Sequence, residues 1–473
     1  MATATAGKPA PAPVEVSDGW FVRAGMAMAD WCERWFPDAF VFALVGLIIV
    51  FSAGLFMGTP VMTLIKYFGE GFWSLIPFTM QMALIIIGGY TVASSPPIQR
   101  LILKLAEVPR TPRGAAVLIA LFSTLTSLIS WGLSLIMTGF LVRAVVKNVK
   151  GIDYRAIGAA GYLGLGTVWA LGMSSSPALL MATPASIPPA LMKISGVIPL
   201  SQTIYSWPSM ATAGILIATS TVIAYLSMPR RSSKTAEFFN VPDEHGVAAL
   251  EPRKTPAEWL EYSPVLSIIV AVMGLTYIAQ VISARGFTAA VDLNTFNFMF
   301  IMVGLLLHWR PRSFVRAVNA AVPSTAGVLI QFPFYGGIFG IVTMSVISET
   351  LAHFFVRIST PGTFPVLVAM YSALLGLFVP SAGSKWIIEA PYVLQAAKDL
   401  HVNLGWVVQI YNTAESLPNL INPFFMLPLV GILKIRARDL VGFALLYFFV
   451  NSILVFFLVW FFARSIAYIA PAL

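Results

Sequence analysis

Three ionisable side chains stand in stretches that are otherwise apolar: Lys385, Glu389 and Glu415. Lys385 and Glu389 are four residues apart, so on a helix they share a face and can pair. Glu415 lies beside an interruption, Ser416-Leu417-Pro418-Asn419. A charge at the middle of a bilayer costs roughly 2.5–3.5 kcal/mol or more, so each of the three needs a partner or a purpose. An ion pair along one helix would account for Lys385 and Glu389 alone; it leaves Glu415 unexplained. One lysine against two glutamates gives −1 when all are ionised, and a bound carboxylate makes −2. A low-dielectric interior penalises that excess strongly. A proton or sodium ion entering with an anionic substrate relieves it. The expected chemistry is therefore cation-coupled carriage of a small carboxylate. Lys385 is the candidate counter-charge, and Glu415, Glu389 and Thr413 are the candidate coupling-ion groups.

Small polar residues cluster at other interruptions. Ser130, Gly132 and Ser134 surround one; Ser381, Gly383 and Ser384 surround a second. Ser174, Ser175 and Ser176 follow Gly172, and Asn412, Asn419 and Asn422 flank Glu415. Helix N-termini at such points expose N–H groups that suit carboxylates. A lone intramembrane serine usually packs or bonds its own helix; grouping at paired breaks is what singles these out. Ser130, Gly132, Ser134, Ser175, Ser176, Ser381, Gly383, Ser384, Asn419 and Asn422 are candidate substrate contacts with Lys385. Gln81 and Gln331, polar groups in apolar runs, suit substrate contact or interhelical hydrogen bonding equally. His245, His308, His353 and His401 lack metal-ligand spacing, there is no Walker A sequence, and Cys32 is the single cysteine. No enzyme constellation, metal or cofactor is expected.

These residues need elements to hold them. The chain has 473 residues, 58% hydrophobic and 10% charged, with mean hydropathy +0.84. Soluble domains carry about 25% charged residues, so this is a polytopic membrane protein. Nucleic-acid binding, disorder and a secreted disulfide fold are excluded. Runs near 38–58, 75–95, 208–228, 263–283, 294–309 and 440–462 can each cross about 30 Å of hydrocarbon. Four further runs, 114–147, 156–192, 363–398 and 403–433, are interrupted by Gly, Pro, Ser or Asn. Irregular backbone survives at membrane depth only against protein or a water-filled cavity. Residues 1–13 read as a disordered tail, and 14–37, with Trp20, Trp31 and Trp35, as an interfacial helix.

The chain also resembles itself. Phe40–Leu47 matches Phe298–Leu305, Gln81 matches Gln331, Ser123-Thr124-Leu125 matches Ser372-Ala373-Leu374, and Ser176-Pro177 matches Asn422-Pro423, in order. The expected architecture is all-α, with inverted repeats at 38–228 and 294–470. A cytoplasmic linker, 229–262, and a linking span, 263–283, join them. Treating 114–147 and 363–398 as re-entrant hairpins gives about ten spans, with substrate held near the midplane. With the N-terminus inside, 22 of the 29 Lys+Arg residues fall on the cytoplasmic side, six fall outside and Lys385 remains within. That bias is the positive-inside pattern, so the net charge of +9 describes topology.

Particular stretches carry a resemblance to a known family. They are Gly71-Phe72-Trp73, Met80–Ile86 with Ala93-Ser94-Ser95, Ala182-Thr183-Pro184, Ser324–Gly327 and Gln331–Tyr335. Val379-Pro380-Ser381, Trp386-Ile387 and Glu415 with Asn419 and Pro423 complete them. In these the chain resembles the bacterial short-chain fatty acid transporter family from about residue 30 onward. The resemblance implies uptake of small monocarboxylates such as acetoacetate or butyrate across a bacterial cytoplasmic membrane. It also implies kinship with the ion transporter superfamily, and by analogy a homodimer with elevator motion. The chain departs from the family pattern at Lys385, where a histidine is usual, at Glu389, where glutamine is usual, and at Ser130, where asparagine is usual. That favours a more polar acid, a hydroxy or keto acid. The alternatives are a dicarboxylate or amino-acid carrier of the same superfamily and, in a different class, a passive anion channel.

Overall fold

The computed structural model describes residues 39–74, 76–182, 189–241, 252–286, 293–347, 357–377 and 382–471, with isolated positions besides. The tail 1–13, most of 14–37 and Ser381 lie outside the described residues. Trp20, Trp31 and Trp35, which are described, are helical and exposed.

Among the described residues every regular element is helical. The first half runs α1 (Ala39–Phe56), α2 (Val61–Ser74), α3 (Ile76–Ser94), α4 (Pro96–Ala106), α5 (Pro112–Ser127) and α6 (Trp131–Asn148). It continues with α7 (Tyr154–Leu163), α8 (Ser176–Ala182), α9 (Pro189–Ser195) and α10 (Trp207–Ser227). A short α11 (Glu258–Tyr262) and α12 (Pro264–Arg285) lead to α13 (Leu293–His308), α14 (Pro311–Ala321) and α15 (Ala326–Met344). The chain then forms α16 (Phe364–Gly376), α17 (Ala382–Asp399), α18 (Leu404–Ile421), α19 (Pro423–Leu433) and α20 (Ala437–Ala463).

Five stretches are long and apolar enough to cross a membrane: Tyr154–Ala182, Trp207–Ser227, Pro264–Arg285, Pro311–Val342 and Ala437–Ala463. The bent pair Leu404–Ile421 and Phe425–Leu433 makes a sixth, and shorter apolar helices accompany them. The chain is a multi-pass membrane protein. Its burial is inverted with respect to a simple bundle. α12 turns Ile269 and Met273 outward and buries only four of its 22 residues, whereas most of Tyr154–Ala182 and the whole of Leu404–Leu420 are enclosed. The most interrupted helices lie innermost, where protein can satisfy their backbone.

Each interruption has a local cause. α7 passes into a π turn at Gly164–Val168 and a 3₁₀ turn at Trp169–Leu171. Ser123 of α5 causes the first of these by entering the hydrogen-bond ladder. Its hydroxyl donates to the Gly161 carbonyl at 2.7 Å and accepts from Gly164 N–H at 2.8 Å. The break continues through Gly172, which the Leu128 carbonyl crowds so closely that a Cβ would collide with it. The break expected at Ser416–Asn419 does not occur: α18 stays helical through Pro418 to Ile421. A buried proline removes one N–H and kinks a helix without ending it when surrounding packing holds the turn. The chain instead bends 45° between α18 and the residues after Pro423. Pro423 has no N–H to offer the Asn419 carbonyl, and the Tyr162 hydroxyl donates to it at 2.6 Å. The two broken helices cross there, with Gly166 against Leu420.

The linker is not wholly separate. Tyr154 N–H donates to the Lys234 carbonyl and Ser232 to Asp153, each at 2.8 Å, so 229–241 is clasped to the start of α7. Asp153 caps α7 and pairs with Arg155 at 3.2 Å, both side chains buried.

Candidate functional site

α5 and α6 form a helical hairpin, and α16 and α17 form another. In the first, the Ser134 hydroxyl donates to the Ser123 carbonyl at 2.8 Å and accepts from Thr126 at 3.0 Å. Ser130 caps α6 by accepting from Leu133 N–H at 3.5 Å. The hairpin tip is pinned to the first broken helix. The Ser174 hydroxyl donates to the Ser127 carbonyl at 2.9 Å and accepts from Trp131 N–H at 3.0 Å, and Met173 N–H donates to the Leu128 carbonyl at 2.7 Å. Gly132 lies so close to Ile85 of α3 that a Cβ would collide with it.

The second hairpin carries charge. Lys385 sits in the first turns of α17 with no exposed surface. Its ammonium donates to the Ser372 carbonyl of α16 at 2.7 Å and to Glu415 Oε2 of α18. Glu389 Oε1 lies 3.8 Å from it, close enough for attraction and too far for a hydrogen bond. The Ser372 hydroxyl donates to Glu389 Oε2 at 2.7 Å. The ammonium also stands 4.8 Å from the Tyr411 ring centroid, a favourable cation–π position. All three charged side chains are fully enclosed. Glu389 Oε1 and Glu415 Oε1 meet no hydrogen-bond donor among the described residues. Gly376, the last residue of α16, admits the cluster: a Cβ there would stand 2.7 Å from Pro418 Cγ, 3.1 Å from Glu415 Oε2 and 3.3 Å from Lys385 Nζ.

The other sequence candidates divide into three sets. Ser175 caps α8 by accepting from Ala178 N–H at 3.2 Å, and Thr413 donates to the Gln409 carbonyl of its own helix at 2.6 Å. Ser176 and Gly383 face each other, with ordinary van der Waals room for a Cβ at Gly383, so the second hairpin meets the first helix break. Ser384 lies in the first turn of α17. Asn419 is fully buried one turn beyond Glu415, and neither atom of its side-chain amide has a partner among the described residues. Asn422 ends α18 and is buried. The two glutamines lie apart from the cluster. Gln81 on α3 donates to Asn294 at 2.8 Å, while Gln331 is buried on α15.

Sequence reasoning did not assign Ser372, Gly376 or Tyr411 to the site. Ser372 had a usable signal, its alignment with Ser123. Trp386, enclosed, packs on Tyr411 with ring centroids 4.7 Å apart and walls one side of the cluster.

Interrupted helices enclosed by apolar spans, with ionisable groups held between them, are the build of a membrane transporter. Sequence comparison says which kind. The chain belongs to the short chain fatty acid transporter family, whose pattern matches residues 21–462. A relative from Escherichia coli (strain K12), provisionally named a short-chain fatty acid transporter, is 35% identical over 427 residues, 89% of this chain and 96% of that one. One from Haemophilus influenzae (strain ATCC 51907 / DSM 11121 / KW20 / Rd), named likewise, is 32% identical over 432 residues with the same coverage. Among solved structures, the Alcanivorax borkumensis YdaH transporter aligns with 92% of this chain and all of its own, at 12% identity and a TM-score of 0.47.

Proposed function

We propose that this protein imports short-chain monocarboxylates together with protons by alternating access. The observation that carries the reading is one buried ammonium between two buried carboxyls. With both ionised the cluster holds −1, so one carboxyl carries a proton at rest. When a substrate carboxylate arrives at Lys385, neutrality is kept if the second carboxyl takes a proton. That predicts about one proton per monocarboxylate and no net charge movement, since an unbalanced charge at low dielectric is strongly unfavourable. A proton fits better than sodium, because the ammonium already fills the space between the carboxylates that a metal ion would need. Lys385 gives up Glu415 for the substrate, and Asn419, with its uncommitted amide one turn away, suits a keto or hydroxyl oxygen. Acetoacetate is therefore preferred over butyrate.

Topology follows from the same chain of reasoning. With both hairpins re-entrant, four crossings in each half and α12 between them make nine spans, rather than about ten. An odd number puts the two ends on opposite sides, and the distribution of basic residues favours the N-terminus inside and Arg464 outside. The helix order α1, α3, α5–α6, α7–α8, α10 is repeated by α13, α15, α16–α17, α18–α19, α20, which supports inverted repeats. A bacterial inner-membrane homodimer moving as an elevator is proposed from the family resemblance.

The test is uptake of labelled acetoacetate by proteoliposomes. An inward proton gradient should drive saturable accumulation and counterflow, with or without sodium. Accumulation that ignores the proton gradient and requires sodium overturns the coupling, and non-saturating flux without counterflow overturns the carrier.

A further inference from the structure

The charged cluster is sealed: no part of Lys385, Glu389 or Glu415 reaches the surface. While it is sealed, protons reach it only through protein groups able to accept one proton and release another. The seam between α16 and α17 holds such groups. Tyr371 and Tyr392 share a hydrogen bond of 2.9 Å between their hydroxyls. Tyr371 directly precedes Ser372, whose hydroxyl already bonds Glu389. Tyr392 follows Glu389 by three residues on α17, so the two lie on one face of that helix. Burial falls along this line: Glu389 is fully enclosed, Tyr371 is 3% exposed and Tyr392 is only half-buried. Glu389 Oε1 meets no hydrogen-bond donor among the described residues.

Among the described residues, the titratable groups around Glu389 are Lys385 on its own helix, Glu415 and Tyr411 on α18, and the two tyrosines. Lys385 and Glu415 bond each other, and the Tyr411 hydroxyl is committed to the Ala382 carbonyl at 2.6 Å. Tyr371 and Tyr392 are the ones that lead outward. A phenol suits relay because it is donor and acceptor at once and stays neutral well above physiological pH.

We propose that Tyr392 and Tyr371 form the proton path between water and Glu389. Tyr371 passes its O–H proton inward to the Glu389 carboxylate and takes the proton of Tyr392, which water replaces; unloading runs the same hops in reverse. The inference rests on the proton-coupled reading above.

The test compares Tyr371→Phe and Tyr392→Phe with the unaltered full chain in proteoliposomes. Two rates are read: acetoacetate uptake driven by a proton gradient, and acetoacetate counterflow at equal pH, where the cluster need not change its proton. Each variant should lose about tenfold or more of the gradient-driven rate, with counterflow kept within about twofold. Unchanged gradient-driven uptake in both variants overturns the relay and leaves the coupling standing. Equal losses in both rates also overturn it, because they mark a structural role. An unaltered protein whose uptake ignores the proton gradient overturns the relay and the coupling together.

Discussion

In hairpin 112–148 the hydroxyl of Ser134 donates to the carbonyl of Ser123 at 2.8 Å; in hairpin 364–399 the ammonium of Lys385 donates to the carbonyl of Ser372 at 2.7 Å. The positions correspond. Ser134 and Lys385 are each the fourth residue of the second helix, and Ser123 and Ser372 are each the fifth from the end of the first. One turn further on, Thr138 stands in the first hairpin where Glu389 stands in the second. The framework is therefore the same, and at these buried positions only the second hairpin carries charge. The first uses its hydroxyls for structure, tying its two arms together and bending α7, while the second holds a lysine between two carboxyls. In the proposed cycle, geometry alone does not make the transport site; charge placed on that geometry does.

Removing the charge from the second hairpin should produce the largest effect. Lys385→Ala leaves Glu389 and Glu415 facing each other without a counter-ion. Breaking a buried pair in this way costs about 3–5 kcal/mol, read as lost thermal stability, and acetoacetate uptake should vanish. Adding Glu415→Gln should restore most of the stability and none of the uptake. If Lys385→Ala keeps acetoacetate-induced thermal stabilisation, the lysine does not face the substrate.

A smaller effect comes from shape. The last residue of α16 is Gly376 and the last of α5 is Ser127. Gly376→Ala would place a methyl between Pro418 and the ion pair, costing about 1–3 kcal/mol as overpacking and slowing uptake. Ser127 already carries a Cβ, and its hydroxyl has no partner among the described residues. Ser127→Ala should therefore stay within about 0.5 kcal/mol of the unaltered protein. Equal stability losses in a denaturation assay would show that the two hairpin ends are packed alike.

The smallest effect is expected in the first hairpin. Ser134→Ala removes its inter-arm hydrogen bond, worth about 1 kcal/mol. Uptake should keep its dependence on pH, because no titrating group has been touched. A shifted pH profile would mean that the first hairpin also takes part in coupling.

Much of this site was legible in the sequence because its ingredients are expensive in a membrane. Lys385, Glu389 and Glu415 stand out against apolar surroundings, and Gly172 and Pro423 mark real interruptions. Pro418 misled, since a single missing N–H did not stop a helix that packing encloses on every side. Partners across the helices left no periodic trace. Gly376, Tyr411 and the Tyr371–Tyr392 pair are ordinary residues of apolar helices until folding brings them to the cluster. The buried pair Asp153–Arg155 was hidden for the opposite reason. It lies among loop charges that topology already explains, yet it caps α7 and receives the clasp from Ser232.

In the proposed cycle the charged hairpin ties one proton to one carboxylate. The most direct test of this coupling is simultaneous measurement of labelled acetoacetate and proton entry into proteoliposomes, with membrane potential clamped and sodium varied. About one proton should enter per acetoacetate, with no current and no sodium effect, and the proton dependence should be lost when Glu389→Gln and Glu415→Gln are combined. Acetoacetate entry with sodium and without protons, or proton coupling that survives the combined replacement, would overturn the proposal.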